Sequence, residues 1–190
     1  MSKLILIKHA TPLKDVTRPS HEWKLSERGR DDARVLADRL RQHHIDIVIT
    51  SNEPKAEETG RIVAEVLGVP CEPADDLHEH DRSNVPVMPT REFISMIALF
   101  FNEPDRLVLG KETANAARDR FERAVKDVMR SRGESAGVAI VTHGTVMALF
   151  LAERASEAPF DLWRRLQLPS YVVMDWPAGT IESIVDRLQP

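Results

Sequence analysis

Two apolar runs rich in isoleucine and valine constrain the fold of this chain more than any other feature. Residues 4–8 form the first run and residues 137–142 the second, and each is followed by a histidine, His9 and His143. Runs of this length and composition are typical of strands buried on both faces of a parallel sheet. Ligands of open α/β sheets bind beyond the carboxyl ends of such strands. The sequence therefore predicts that two imidazoles lie at a binding site.

Stretches with helical spacing of apolar residues separate these runs, and small polar residues mark their starts. Helices are predicted over residues 26–43, from a cap at Ser51 or Asn52 to residue 67, and over residues 90–101, 113–132, 145–155 and 159–166. Further strands are predicted over residues 45–50, 69–72, 171–176 and 180–185, the last two as a hairpin. This alternation predicts a single α/β domain over residues 1–190, a three-layer sandwich whose mainly parallel sheet is flanked by helices. A short loop and helix insertion around residues 73–111 is expected to lie over the site.

Charge and composition exclude some classes of partner. The 190 residues include 26 Lys and Arg and 30 Asp and Glu, which gives a net charge of −4. Such a balance gives no general attraction to nucleic acid or to anionic membranes, so neither is expected as a partner. Cys71 is the single cysteine, which excludes an internal disulfide, and no apolar stretch approaches the length of a membrane span. We expect a cytoplasmic protein; its oligomeric state stays open, with a homodimer among the assemblies that the sequence allows.

Positive groups surround the two predicted imidazoles. On chemistry alone, His9 and His143 are candidates for a nucleophile, a general base or a metal ligand. Lysine ammonium groups and the free N–H groups of a helix N-terminus both bind anions. The residues expected to form a pocket of phosphate size in this way are Lys8, Lys55, Gly144 and Thr145.

Five segments match motifs that occur in the same order in one known family. Residues 4–11 match an opening strand with an Arg-His-Gly motif, and residues 25–29 match Leu-Thr-Glu-x-Gly. Residues 51–59 match Ser-x-x-x-Arg-Ala-x-x-Thr, residues 77–79 match Leu-x-Glu, and residues 141–144 match Val-Ser-His-Gly. The chain thus resembles the histidine phosphatase superfamily, also called the phosphoglycerate-mutase-like or RHG family. The resemblance covers nearly the whole chain and implies the same sandwich fold.

The resemblance also implies a role for individual residues. His9 would accept the phosphoryl group as a phosphohistidine, and His143 would bind and stabilise that group during transfer. Glu79 would protonate the leaving oxygen and then activate water, with Asp81 in reserve. The family needs no metal and no cofactor, and the expected partner is a small phosphorylated substrate.

Lysines replace both motif arginines, and this departure leaves the activity open. The family has arginine at the positions of Lys8 and Lys55, and glycine at that of Ala10. Lysine keeps the charge but loses the planar, bidentate fork of arginine. The sequence favours a metal-independent phosphomonoesterase. The alternatives are a weak or inactive member that binds a phospho-ligand in a regulatory role and, third, a phosphomutase.

The loops around the predicted site hold further titratable residues. His78 and His80 are two residues apart, a pattern that is weak evidence for a metal site without further ligands. A surface position is the usual one for a loop cation, but four of them could meet a second acidic group on the substrate: Arg18, His21, Arg82 and Arg91. The sequence does not identify the substrate.

Overall fold

Strands and helices alternate along the part of the chain that the computed structural model describes, residues 2–133 and 135–188. The strands are β1 (Ser2–Lys8), β2 (Ile47–Thr50), β3 (Cys71–Pro73), β4 (Gly137–Thr142), β5 (Ser170–Trp176) and β6 (Ile181–Val185). The helices are α1 (Glu27–Leu40), α2 (Pro54–Leu67), α3 (Thr90–Asn102), α4 (Ala114–Arg132), α5 (Gly144–Ala155) and α6 (Pro159–Arg165), with a 3₁₀ turn at Ser20–Glu22.

The six strands form one sheet in the order β3-β2-β4-β1-β5-β6. The first four strands in this order, β3, β2, β4 and β1, are parallel to one another. Strand β5 is antiparallel to β1, and β6 is antiparallel to β5. The predicted mainly parallel α/β sheet and its final hairpin are therefore confirmed. In the central pair, Lys8 lies opposite Thr142, so β1 and β4 end at the same level.

Alternate side chains of β1 face the two helical layers. Leu4 and Leu6 belong to a buried cluster that includes Phe121 of α4 and Phe150 of α5. The intervening side chains, among them Ile5, belong to a second cluster that includes residues of α1 and α2. This period of two is the geometry of a strand buried on both faces, and it explains why the run contains no polar residue before Lys8.

The helix starts follow local capping chemistry in two cases and depart from the prediction in a third. Ser26 accepts a hydrogen bond from the Gly29 N–H at the start of α1, and Thr113 caps α4 in the same way. Helix α2 is different, because its N-cap is Glu53 and not Ser51 or Asn52. Pro54 occupies the first turn of α2, where a missing N–H costs no hydrogen bond. The side chain of Glu53 makes no capping hydrogen bond there, which leaves it free to turn elsewhere.

None of the helices that the structure describes combines the length and the apolar character needed to cross a bilayer.

Close packing of α2 on the sheet explains the glycine at position 60. A Cβ atom at Gly60 would lie 2.2 Å from Thr50 Cγ2 and 3.3 Å from Val48 Cγ1, which is too close for both contacts. Helix propensity alone favours alanine over glycine by about 1 kcal/mol, but overpacking costs about 1–3 kcal/mol.

We expect Gly60→Ala to lower the free energy of unfolding by about 1–2 kcal/mol in urea denaturation, because overpacking outweighs propensity. Glu65→Ala, at an exposed position of the same helix, is the control and should change the free energy by less than about 0.5 kcal/mol. Stabilisation by Gly60→Ala would show that the contact with Thr50 relaxes without cost.

Candidate active site

The pairing of β1 with β4 brings the two predicted imidazoles together. His9 follows β1 and His143 follows β4, and the centroids of their rings are 5.2 Å apart at an interplanar angle of 61°. His9 is only 7% exposed and His143 is fully buried. A buried pair of imidazoles at the carboxyl edge of a parallel sheet is the arrangement that the sequence predicts, and it defines the centre of the candidate site.

The hydrogen bond of His9 leaves one ring nitrogen available for chemistry. Nδ1 lies 2.8 Å from the carbonyl oxygen of Ala10, which can only accept, so Nδ1 carries the proton and Nε2 carries a lone pair. Burial, with the nearby His143 and Lys55, holds the pKa of His9 well below its usual value. The ring is therefore neutral at pH 7, as a nitrogen nucleophile must be.

His143 has the complementary arrangement. Its Nε2 is 2.9 Å from Ser51 Oγ, and its Nδ1 is buried without a hydrogen-bond partner among the described residues. Burial is the main cause that holds the pKa of His143 well below its usual value, and the positive charge of Lys55 is the second. An unsatisfied buried nitrogen is costly and calls for a ligand. A phosphoryl oxygen beside His143 would supply the missing acceptor if Nδ1 carries the proton.

Glu79 occupies the N-terminus of α5, where the sequence predicts an external anion. Its carboxylate accepts hydrogen bonds from the N–H groups of Thr145 at 3.1 Å, Val146 at 3.2 Å and His80 at 2.9 Å. Burial opposes ionisation, but Arg82, His143 and these N–H donors outweigh it and hold the pKa of Glu79 well below its usual range. Glu79 is thus an anion, and the N–H of Thr145, which the sequence assigns to phosphate, donates to Glu79.

Lys8 and Lys55 both reach the site, and each already has a partner. The Lys8 ammonium donates to the carbonyl oxygen of Leu166 at 2.7 Å, and its side chain lies against Gly144, where a Cβ atom would be 2.9 Å from Lys8 Cε. Lys55 is 5% exposed, donates to the carbonyl oxygen of Ser20 at 2.8 Å and forms an ion pair with Glu53. Gly144 therefore makes room for a lysine stem, a packing role that sequence reasoning did not assign to it.

Sequence reasoning missed Ser51 and Glu53, and it expected a surface position for Arg82. Ser51 contacts His143, while Glu53 pairs with Lys55 and lies 3.6 Å from Nε2 of His143. The Arg82 side chain is only 14% exposed, lies 3.6 Å from the Glu79 carboxylate and donates to Thr145 Oγ1 at 3.3 Å. The signal in the sequence was position, since Arg82 follows the Leu-x-Glu segment by three residues and Glu53 precedes Lys55 by two.

The remaining loop residues are more peripheral. Arg18 is exposed and lies beside Asp15 and Glu22, and Arg91 is exposed at the start of α3. His80 packs its ring on Phe100 at 4.2 Å instead of facing a ligand set. Within residues 2–133 and 135–188 the structure has no group of three His, Cys, Asp or Glu side chains arranged to hold a metal ion.

Arg120 of α4 holds the loop that carries the predicted acid. Its guanidinium donates to the backbone carbonyl oxygens of Asp76, His78 and Glu79, at 2.8, 3.0 and 3.3 Å. It also forms a two-pronged ion pair with Glu112, at 2.6 and 3.1 Å, and both side chains are largely buried. A bidentate pair of this kind fixes geometry as well as charge. The position of Glu79 thus depends on Arg120 of α4, 41 residues later in the chain.

Two clefts border the site. The first has a volume of about 280 Å³ and is lined by Ser20, His21, Glu53, His78, Glu79 and Arg82 among others. The second has a volume of about 550 Å³ and is lined by Lys8, Thr11, Arg28, Trp163, Arg164 and Gln167 among others. The first cleft reaches both carboxylates and Arg82, whereas the second reaches Lys8.

The Lys8 ammonium destabilises the fold in a way that depends on pH. Loss of hydration in its surroundings lowers the pKa of Lys8 from 10.5 to about 8, against the opposing attraction of Glu79. The unfavourable contribution is fully present below pH 8, where both folded and unfolded chains are protonated, and it disappears as the pH rises from 8 through 10.5.

We expect Lys8→Met to gain stability relative to the unchanged protein at pH 7, and to lose part of that gain by pH 10. The quantity compared is the free energy of unfolding of the two proteins. Urea denaturation at a series of pH values measures it. Lys14→Met, which removes a lysine at an exposed position, is the control. A difference for Lys8→Met that does not change with pH would mean that the Lys8 ammonium is fully hydrated.

Comparison with known proteins agrees with this fold. The chain is 25% identical to an uncharacterized phosphatase, PhoE, of Bacillus subtilis. The aligned region has 162 residues and covers 84% of this chain and 80% of the relative. Among solved structures, YhfR of Bacillus stearothermophilus superposes with a TM-score of 0.76 at 23% identity, covering 97% of this chain and 96% of that one. A mycobacterial glucosyl-3-phosphoglycerate phosphatase in complex with VO3 superposes with a TM-score of 0.75 at 16% identity, covering 96% of both chains. At these identities the structures establish the shared fold.

The sequence profile of the histidine phosphatase superfamily (branch 1) matches residues 4–182. This span includes both histidines, both lysines and Glu79. The chain therefore belongs to the histidine phosphatase superfamily.

Proposed function

We propose that the protein is a metal-independent phosphomonoesterase that acts on a small phosphorylated substrate through a phosphohistidine at His9. The observation that carries the proposal is the pair of buried rings, in which Nε2 of His9 has a lone pair and Nδ1 of His143 has no hydrogen-bond partner in the part of the chain that the structure describes. A phosphoryl group between them would meet a nucleophile and a stabilising donor together. Membership of the superfamily and the fold shared with phosphatases support the same reaction.

The first step forms a nitrogen–phosphorus bond and breaks the ester bond. His9 Nε2 attacks phosphorus in line with the leaving oxygen, and the leaving oxygen takes a proton from Glu79 and departs as an alcohol. His143, Lys8 and Lys55 stabilise the negative charge on the oxygens of the transferred group. Such stabilisation matters because phosphoryl transfer depends mainly on positioning and electrostatics.

The proton on Glu79 must arrive with the substrate, because the carboxyl is ionised beforehand. A phosphate monoester that enters with one proton can transfer it to Glu79, and the adjacent phosphate dianion then disfavours ionisation of the carboxyl. In the second step water attacks phosphorus, Glu79 takes the water proton, the nitrogen–phosphorus bond breaks and inorganic phosphate leaves. Glu79 finally loses that proton to solvent.

We expect His9→Ala to lower turnover of phosphate esters by at least about 10³-fold, since no other group replaces the nucleophile. Phosphate release from p-nitrophenyl phosphate, phosphoserine and phosphoglycerate, with and without a chelator, measures it. His44→Ala, at an exposed position, is the control. Equal turnover by His9→Ala and the unchanged protein would contradict the proposal.

A second candidate function, phospho-ligand binding without turnover, is favoured by one observation. Both motif arginines are lysine, and Lys55 is already paired with Glu53. Binding of vanadate with no turnover across the ester panel would support this candidate. Formation of a phosphate isomer without phosphate release would indicate a phosphomutase instead.

The double variant Lys8→Arg, Lys55→Arg tests whether the lysines limit catalysis. We expect it to raise kcat/KM about tenfold, because two bidentate guanidinium groups hold phosphoryl oxygens better than point charges do. The measurement is steady-state hydrolysis of the best ester of the panel, with Lys14→Arg as the control. A fall in kcat/KM would show that the site is built around lysine geometry.

A further inference from the structure

A buried carboxylate lies among the cations and imidazoles of the site. Glu53, the N-cap of α2, is 8% exposed, and it is one residue that the motif-based prediction did not include. A carboxylate almost never occupies such a position unless it is paired. Its partners therefore indicate what it does.

Each oxygen of Glu53 contacts a residue that the proposed reaction uses. Oε2 forms an ion pair with the ammonium of Lys55. Oε1 accepts the backbone N–H of Glu79 at 2.9 Å and lies 3.6 Å from Nε2 of His143. Glu53 is thus paired with a phosphate-binding cation and hydrogen-bonded to the backbone of the acid, and it lies next to the second histidine.

The pairing limits what Lys55 can offer to a phosphoryl group. An ammonium has three N–H donors. In Lys55 one of them is directed to the carbonyl oxygen of Ser20 and another to Glu53. As far as the described residues show, one donor of Lys55 therefore remains for a phosphoryl oxygen, unless Glu53 withdraws.

The charge of the site points in the same direction. Lys8, Lys55 and Arg82 are positive, whereas Glu53 and Glu79 are negative, and His9 and His143 are neutral. Before the substrate brings a proton to Glu79, one positive charge in excess faces the incoming phosphate, and Glu53 cancels a second one that the site would otherwise present. A carboxylate within a few ångströms of that phosphate repels it, and in a buried site salt screens the repulsion only weakly.

We propose that Glu53 sets the affinity of the site by competing with phosphate for Lys55. The inference rests on the phosphatase function proposed above and deepens it. Weak binding of the phosphoryl group speeds release of inorganic phosphate. It also requires the alcohol part of the substrate to supply binding energy in one of the two clefts that border the site. The favoured substrates are therefore esters of alcohols larger than a simple alkyl group.

Direct binding of inorganic phosphate and of vanadate tests the role of Glu53 without turnover. Titration calorimetry on the full chain should show that Glu53→Gln binds both anions at least tenfold more tightly than the unchanged protein. Glu53→Asp keeps the charge and should stay within threefold of it. Glu57→Gln, one turn along α2 and paired with the exposed Arg61, removes the same charge away from the site and should bind as the unchanged protein does.

Unchanged or weaker anion binding by folded Glu53→Gln would overturn the inference. If that variant does not fold, Glu53→Ala, which also removes the charge, provides the same comparison. Hydrolysis that depends on His9, together with no gain in phosphate affinity, would contradict the role of Glu53 alone. Tighter phosphate binding by Glu53→Gln, with no hydrolysis by any variant, would contradict the proposed function alone.

Discussion

The parallel pairing of β1 with β4 is the constraint on which the rest of the site depends. Because Lys8 lies opposite Thr142, the two strands end at one level and the next residue of each is a histidine. Backbone hydrogen bonds between strands hold this register, and a slip by one residue would turn every side chain to the other face. The 5.2 Å separation of the imidazoles is thus maintained by the most deeply buried part of the protein.

The charged side chains of the site are paired with other groups of the protein, rather than left as unpaired positive charge. Glu79 accepts hydrogen bonds from N–H groups at the start of α5, Glu53 forms an ion pair with Lys55, and Lys8 donates to a carbonyl oxygen. A phosphate must compete with each of these internal partners. Such a site holds its groups in place before the ligand arrives, at a cost in affinity for the anion.

The fold and the imidazole pair could be predicted because their signals are local and periodic. The strand-length apolar runs, the caps at Ser26 and Thr113 and the five family segments are all legible along the chain. Glu53 was not predicted because a glutamate at a helix start usually lies in solvent, near the positive end of the helix dipole. Its burial depends on Lys55 and on the backbone N–H of Glu79, and Glu79 is 26 residues away in the chain.

By itself the sequence determined the α/β architecture, the edge of the sheet at which the two imidazoles lie and the superfamily, since hydrophobic period and motif order suffice for these. Only the tertiary structure decided which groups pair inside the site. It brought Glu79 onto α5 through Arg120 and Glu112, made Arg82 a buried neighbour of Glu79, and set Glu53 against Lys55. The physical reason is that an ion pair or a buried hydrogen bond depends on distance in space, and residues far apart in the chain leave no local pattern that reports it.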